Sequence, residues 1–336
     1  MLVSVLLPVY NGARHLDQAL ESVFAQSYAE FQICVVDDGS TDDTPYLLQH
    51  YAQRDARLTW ARWEQNQGIV PALNACLEMA QGDMLARHDH DDLMHPQRLE
   101  AQVSWAKQRE GDFLLGCQIA LEPQAAVSEG QAKYLRWQNR LLSPADHAAA
   151  IYQEAPLSHP SLFLPAATLK KLGGYHNPPW AEDYDLMLRA YLAGIPLCKL
   201  DQVLVTKTLR QGQLTWTDHR YRHNAFYQAK AHFFKQDPRF RGKQRIYLVG
   251  SGSAGRQAAH ALLAQGVKLE GFLEDREFPP HVTLQGLPII ALNPEFARTW
   301  NAESLILFAL SDPTGRARLQ TLMEALGLQG EVVLWV

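Results

Sequence analysis

Two hydrophobic periods alternate through the first 90 residues of this chain, and that alternation permits few folds. Val3 to Val9 and Phe31 to Val36 are short apolar runs of strand type. Ala13 to Gln26 instead places Leu16, Ala19, Leu20, Val23 and Phe24 at helical spacing. The pattern continues with a helix over Asp42 to Gln53, a strand over Leu58 to Trp63, a helix over Ile69 to Ala80 and a short strand over Met84 to Arg87. Strands separated by helices pair in parallel through crossovers, so the expected fold class is α/β, with a ligand crevice at the carboxyl ends of the strands. Polar residues directly after the second and fourth strands then face that crevice.

Further along, Pro96 to Lys107 and Asp183 to Ala193 read as helices and Phe113 to Leu121 as a strand, while Glu122 to Ala150 is mixed and takes neither type clearly. Lys235 to Lys243 is polar, basic and broken by Pro238 and Gly242, which are boundary properties. The alternation then restarts. Strands are expected at Arg245 to Val249, Lys268 to Leu273, Leu287 to Leu292, Ser304 to Leu310 and Val332 to Val336, with helices at Ala254 to Ala264 and about Thr314 to Leu326. A length of 336 residues suits two domains, expected at 1–235 and 244–336, the second a small Rossmann-like layer.

Hydrophobic residues at 47% supply packed cores and leave no compositional case for disorder. Lys and Arg number 31 against 36 Asp and Glu, a net charge of -5, which weighs against a nucleic-acid partner. The first eight residues hold no basic region or small-residue cleavage site, and no apolar run reaches the roughly 20 residues that cross a bilayer. Cys34, Cys76, Cys117 and Cys198 are dispersed without paired spacing. A reducing, cytoplasmic setting is the expectation.

Arg87-His88-Asp89-His90-Asp91-Asp92 lies just beyond a strand end. Three carboxylates within four positions repel one another unless a cation compensates, and hard oxygen donors suit Mg2+ or Mn2+. A solvated acidic turn before the helix that follows Pro96 accounts for the same residues equally well. The second cluster, Asp37-Asp38-Gly39-Ser40-Thr41-Asp42, follows the Phe31 to Val36 strand; Ser40 or Thr41 is expected to N-cap the next helix. Capping leaves Asp37 and Asp38 unexplained, and a carboxylate there can accept from a nucleobase or a ribose. A third cluster, Glu182-Asp183-Tyr184-Asp185, opens a helix after the turn-rich Leu172-Gly173-Gly174-Tyr175, where acids also serve the helix dipole.

Taken together and in order, these elements resemble the family 2 glycosyltransferases, inverting enzymes of GT-A fold. The matching residues run from Ser4-Val5-Leu6-Leu7-Pro8-Val9-Tyr10-Asn11 through Val35 to Asp42, Asn66-Gln67-Gly68 with Asn74, and Arg87 to Asp92 with Pro96-Gln97-Arg98-Leu99. They end with Gly173-Gly174-Tyr175 and Glu182 to Leu186, so the resemblance covers roughly residues 1 to 215.

The resemblance implies roles. Pro8 and Tyr10 would line a base pocket, and Asp38 would bind the base of a nucleotide-diphosphate sugar, with Gly68 and Arg87 beside the donor. Asp89 and Asp91 match the first and last acids of the family's metal motif and are both candidate ligands of a Mn2+ or Mg2+ ion, Asp91 the one expected to hold it and Asp89 also on the nucleotide-sugar side. Asp183 matches the catalytic base, with Glu182 beside it; Arg87 and Arg210 are candidate phosphate or acceptor contacts or partners of a local acid, and His159 is an acceptor contact or a packing residue. Two departures stand out. His90 occupies a position that is usually small, where it either crowds the site, adds an imidazole contact or points away, and Gln211 stands where an Arg-x-His element would place histidine.

In the second domain, Gly250-Ser251-Gly252-Ser253-Ala254-Gly255 is a GxGxxG between strand and helix, with Glu274 and Asp275 about 20 residues on, so Gly250, Gly252, Gly255 and Asp275 are candidate nucleotide contacts. The stretch resembles the Rossmann-like domains of bacterial polysaccharide-biosynthesis and sugar-acyltransferase proteins. NAD(P) or another nucleotide is one reading of it, a docking module without ligand the other.

The resulting expectation is an inverting, metal-dependent transfer of a sugar from a nucleotide-diphosphate donor to a hydroxyl of a glycan or lipid-linked acceptor in bacterial surface polysaccharide synthesis. A lipid-linked acceptor would be met by peripheral contact at the inner membrane face, with Lys133, Tyr134, Arg136, Trp137 and Arg140 as one candidate surface. Two rivals stay open: a sugar nucleotidyltransferase, for which Asn11-Gly12-Ala13-Arg14 is short of the Gly-rich basic loop a triphosphate needs, and a non-catalytic nucleotide-sugar sensor or scaffold.

Overall fold

The computed structural model describes residues 1–210, 213, 217–279, 281–310, 312–328 and 332–335. They group into two compact units, one of residues 1–148, 155–178 and 182–217 and one of 149–154, 179–181 and 218–336.

The first unit is built on eight strands: β1 (Val3–Val9), β2 (Phe31–Asp37), β3 (Leu58–Arg62), β4 (Met84–Arg87), β5 (Leu93–Met94), β6 (Leu114–Glu122), β7 (Phe163–Pro165) and β8 (Leu197–Thr208). Their order is β3-β2-β1-β4-β7-β6-β8-β5. The β3-β2-β1-β4 half is parallel, joined by the helices Ala13–Phe24, Thr44–Arg54 and Ile69–Met79, as the alternating periods predict. All seven residues of β1 are buried, because a central parallel strand is covered on both faces. Leu16, Leu20 and Val23 of the first helix pack onto that face with Val3, Val5 and Leu7.

The other half departs from simple alternation. β7 runs antiparallel to β4 and β6, and β5 antiparallel to β8, so the sheet becomes mixed. β6 and β8 pair in parallel through an irregularity at Cys117, Gln118 and Ile119. The 12-residue strand β8 escaped the sequence reading because Asp201 and Gln202 interrupt its apolar run. The unassigned Glu122 to Ala150 stretch holds the helices Glu129–Arg140 and Pro144–Ala150; the first opens on a capping box between Ser128 and Gln131.

The second unit has a six-stranded sheet of β9 (Arg245–Val249), β10 (Gly271–Glu274), β11 (Thr283–Leu284), β12 (Leu287–Ala291), β13 (Ser304–Phe308) and β14 (Val332–Leu334). The order is β11-β12-β10-β9-β13-β14, parallel except for β11, with a core that includes Tyr247, Leu273, Phe296 and Phe308. β10 begins at Gly271, three residues later than the pattern suggests. Helix His223–Phe234 groups here, ahead of the basic Lys235 to Lys243 segment. So does the short 149–154 stretch, whose Tyr152 ring stacks on Trp335 at 5.6 Å. The four cysteines are free and buried, and no described helix is long and apolar enough to cross a membrane.

Candidate active site

The loops after β1 and β2 are cross-bonded. The Ser40 hydroxyl accepts from the Asn11 N–H at 2.8 Å, Thr44 Oγ1 from Gly12 N–H at 2.9 Å, and Asn11 Oδ1 from Thr41 N–H at 2.8 Å. Ser40 and Thr41 therefore do not cap the following helix, as the sequence suggested. That helix starts at Thr44, whose N–H donates to Asp42 Oδ1, because the loop's hydroxyls are committed to the neighbouring turn. Asn11 takes φ 50°, a left-handed value that asparagine tolerates.

Asp38 sits at the carboxyl end of β2 and is 3% exposed. Its Oδ1 accepts from Gln67 N–H at 2.6 Å and its Oδ2 from Gly68 N–H at 2.9 Å, and Gly68 holds φ 95° to present that N–H. Burial pushes the Asp38 pKa up, and the two N–H donors oppose the shift. Pro8 is buried within β1, and Tyr10 is 44% exposed just beyond it.

β4 ends in the acidic loop. Arg87, 1% exposed, donates Nη2 to Asp89 Oδ1 at 2.5 Å, so its guanidinium stands behind Asp89 and has no exposed face in the crevice. Burial raises the Asp89 pKa, but Arg87, Lys207 and His159 together hold it well below the carboxylate range. Asp91 Oδ2 accepts from Arg210 Nε at 2.6 Å and from Gln213 Nε2 at 3.3 Å. The His90 ring packs over Gly12, where a Cβ would lie 2.7 Å from its Cδ2, and His90 Nε2 lies 3.2 Å from Arg210 Nη2. Asp92 is buried, accepts from Thr208 N–H at 3.0 Å, and is pushed strongly towards its neutral acid, first by burial and then, against the pull of Lys207, by Asp89 and Asp91.

Lys207 ties the cluster to the third motif. Burial disfavours its charge, yet the charges of Asp92, Asp89, Asp91 and Asp183 raise its pKa above the ordinary lysine value, so carboxylates from two distant stretches act on one ammonium without an ion pair among the described residues. The antiparallel pairing Leu93↔Thr206 and Met94↔Val205 puts it there. The sequence reading missed Lys207, and the signal was faint: one cation in the β-branched run Val203 to Thr208.

Asp183 lies in the first turn of helix Glu182–Leu192 and is partly exposed, whereas Glu182 is fully buried. The turn leading to it is clamped. Asn74 accepts from Tyr175 N–H at 2.9 Å and donates to the Tyr175 carbonyl at 2.8 Å; Arg189 donates to the carbonyls of Leu172 and Gly174 and pairs with Asp185 at 2.7 Å. His159 is 7% exposed, with Nε2 3.0 Å from the Tyr175 hydroxyl and Nδ1 3.7 Å from Glu182 Oε1. It is thus a wall residue, and burial first, then Arg87, drives its pKa well below normal, so it stays neutral. Gln211 lies outside the described residues.

No group of three or more His, Cys, Asp or Glu side chains is arranged to hold a metal among the described residues. Asp89 Oδ2 and Asp91 Oδ1 carry no hydrogen bond among the described residues. Two such hard oxygens are the donor chemistry with which Asp89 and Asp91 would hold a Mg2+ or Mn2+ ion.

In the second unit Gly250 takes φ 100° and Gly255 packs so closely that a Cβ would meet the Gly250 carbonyl oxygen at 1.8 Å, the close helix–strand contact for which GxGxxG glycines serve. Glu274 Oε1 accepts from Ser251 N–H and Oγ at 2.7 and 2.5 Å, so a carboxylate already sits on the loop. Asp275 pairs with Arg318 at 2.6 Å. Gly252 has open space about it.

Residues 4–140 match the family model described as Glycosyl transferase family 2. Over 206 residues the chain is 29% identical to the putative glycosyltransferase EpsE of Bacillus subtilis, covering 60% of this chain and 71% of that protein. Over 112 residues it is 38% identical to the putative teichuronic acid biosynthesis glycosyltransferase TuaG of the same organism, covering 33% of this chain and 44% of the relative. Among solved structures, S. aureus TarS 1-349 in complex with UDP-GlcNAc superposes with a TM-score of 0.56 at 21% identity, covering 70% of this chain and 66% of that one. The stretch 4–140 therefore belongs to glycosyl transferase family 2, and the first unit, which holds all three acidic motifs, has the GT-A fold.

Proposed function

We propose that the first unit transfers a sugar, with inversion, from a nucleoside-diphosphate donor to a hydroxyl of a glycan or lipid-linked acceptor of a bacterial surface polysaccharide. The observation that carries this reading is the shared cation. Asp89, Asp91, Asp92 and Asp183 all act on the charge of Lys207, which supports reading the acidic loop and the helix that opens at Glu182 as one site. The TuaG likeness supports the polysaccharide assignment, and TarS, solved with UDP-GlcNAc, supports the donor class.

Departure of a nucleoside diphosphate leaves negative charge on phosphate and positive charge on the sugar ring. Asp89 and Asp91 would hold a divalent ion, which when bound supplies positive charge to the leaving diphosphate. Arg210 and Lys207 add fixed cations near it, and Arg87 keeps Asp89 ionised from behind. Asp38, whose two oxygens each accept one backbone N–H, has lone pairs left for a base N–H, beside Pro8 and Tyr10. Asp183 takes the proton of the acceptor hydroxyl as its oxygen attacks the anomeric carbon opposite the leaving group. Glu182, His159 and Tyr175 form a packed wall that fixes the start of its helix.

A lipid-linked acceptor would be met by peripheral membrane contact through helix Glu129–Arg140, whose Lys133, Arg136 and Arg140 are exposed. Flotation with anionic vesicles, lost in Arg136→Glu/Arg140→Glu, would support that contact; unchanged flotation would remove it. The main test is turnover with a panel of nucleotide sugars and Mn2+. Release of nucleoside diphosphate with a glycosylated product supports transfer, pyrophosphate release would overturn it, and retention of activity in Asp183→Asn would remove the assigned base.

A further inference from the structure

The second unit holds a hollow whose charge runs against that of the chain. The whole protein has a net charge of -5. Yet Lys235, Arg241, Lys243 and Lys268 line a cavity of about 490 Å³, with no carboxylate among its described lining residues. Like charges gathered around one hollow repel, and an anion seated among them turns repulsion into attraction.

The cations are positioned without being used up. Lys235 Nζ donates to the Gln265 carbonyl at 2.6 Å and Lys243 Nζ to the Ala302 carbonyl at 2.8 Å. An ammonium has three donors, so each keeps two. The Arg241 guanidinium has no hydrogen bond or ion pair among the described residues, and its five donors suit a phosphate fork. The Lys268 side chain is 85% exposed, and its Nζ lies 3.5 Å from Glu270 Oε1, outside the lining.

The floor has a different character. Ile246 and Val267 are buried and Phe240 is half-buried, so the hollow offers apolar surface beneath a cationic rim. Its volume falls within the roughly 300 to 1,000 Å³ of small-molecule sites. Gln244 and Ile246 place it at the amino end of β9, whereas the Gly250 to Gly255 loop lies at the carboxyl end. It is therefore separate from the nucleotide loop that the sequence pointed to.

We propose that this cavity binds a phosphate ester, its phosphate or diphosphate held by Arg241, Lys243 and Lys268 and its apolar part resting on Phe240, Ile246 and Val267. The ester is either a soluble metabolite or a lipid headgroup, and binding here does not depend on the reaction of the first unit.

The test uses the full chain. Inorganic pyrophosphate binding is measured by equilibrium dialysis in EDTA, and flotation with phosphatidylcholine vesicles containing phosphatidic acid, for the native protein, Arg241→Glu/Lys268→Glu and the conservative Arg241→Lys. Both replaced side chains are at the surface, and an unchanged melting temperature reports folding. The expected result is that the double variant loses one class of pyrophosphate site, by about tenfold or more in Kd, while Arg241→Lys largely keeps it and sugar transfer is unaltered. Loss of pyrophosphate binding alone assigns a soluble ester, and loss of vesicle flotation assigns a lipid phosphate. Pyrophosphate binding and flotation both unchanged in the double variant would overturn the site, even if sugar transfer by the first unit were established.

Discussion

Arg210 Nε lies 2.6 Å from Asp91 Oδ2 across 119 residues of sequence, so the carboxylate matched to the metal already carries an internal counter-ion. Gln213 shares the same oxygen. A divalent ion must bind Asp91 alongside or in place of that partner.

Arg210→Ala should therefore raise the affinity of the donor-free chain for Mn2+, by roughly fivefold for an ion pair of about 1 kcal/mol, while slowing transfer. Titration followed by Mn2+ paramagnetic resonance reads the first effect. Weaker Mn2+ binding in this variant would mean that Arg210 does not compete. Asp91→Asn should lose the Mn2+ response altogether.

Asp183→Asn should cut kcat by about 10²- to 10⁴-fold, the usual contribution of a general base, with donor affinity nearly unchanged. Isothermal titration with the donor separates the two. Glu182→Gln alters a buried wall residue beside His159, so it should lower the melting temperature as well as the rate.

Asp38→Ala strips the acceptors from Gln67 and Gly68 N–H. The expected cost is about 2 kcal/mol or more of stability, together with a weaker donor Kd as the 66–68 loop loosens. A normal melting temperature with a weakened donor would instead assign Asp38 to the base alone.

Gly255→Ala places a methyl 1.8 Å from the Gly250 carbonyl oxygen. Backbone cannot give way as a side chain can, so a loss of about 3 kcal/mol or more is expected in the second unit. Calorimetry should show a lowered transition; an unshifted one would mean that the loop has slack.

His147 is 1% exposed, with Nδ1 2.8 Å from the Leu197 carbonyl, and its pKa is lowered to about 4 by burial first and by Lys199 second. The unfolded chain takes up this proton near pH 6.5, the folded one only near 4. Stability from this group is thus complete above 6.5 and falls as pH drops towards 4, because the unfolded state binds the extra proton. Melting temperatures between pH 7 and 4.5 should decline more steeply for the native chain than for His147→Gln. Equal slopes would show that His147 protonates in the folded state.

The half of the sheet containing β1 to β4 was legible because each strand is local: a short, mostly apolar run bounded by helices of 3.6-residue period needs no partner to be recognised. The acidic clusters at the ends of β2 and β4 were legible for the same reason. The two-residue β5 and three-residue β7 were not, since strands so short are defined by their neighbours. The Ser128 and Gln131 capping box was readable in Glu122 to Ala150, but the polar helix it opens buries only Gln138 among its residues and so carries little apolar period.

Local pattern settles which segments become strands and helices, and which acids stand at strand ends, because period and turn chemistry act over a few residues. Charge partners are a matter of distance in space. Asp89, Asp91 and Asp183 act on the charge of Lys207, which an antiparallel pairing that no short window encodes brings to the acidic loop, and the burial of Arg87 against Asp89 is likewise imposed by packing alone.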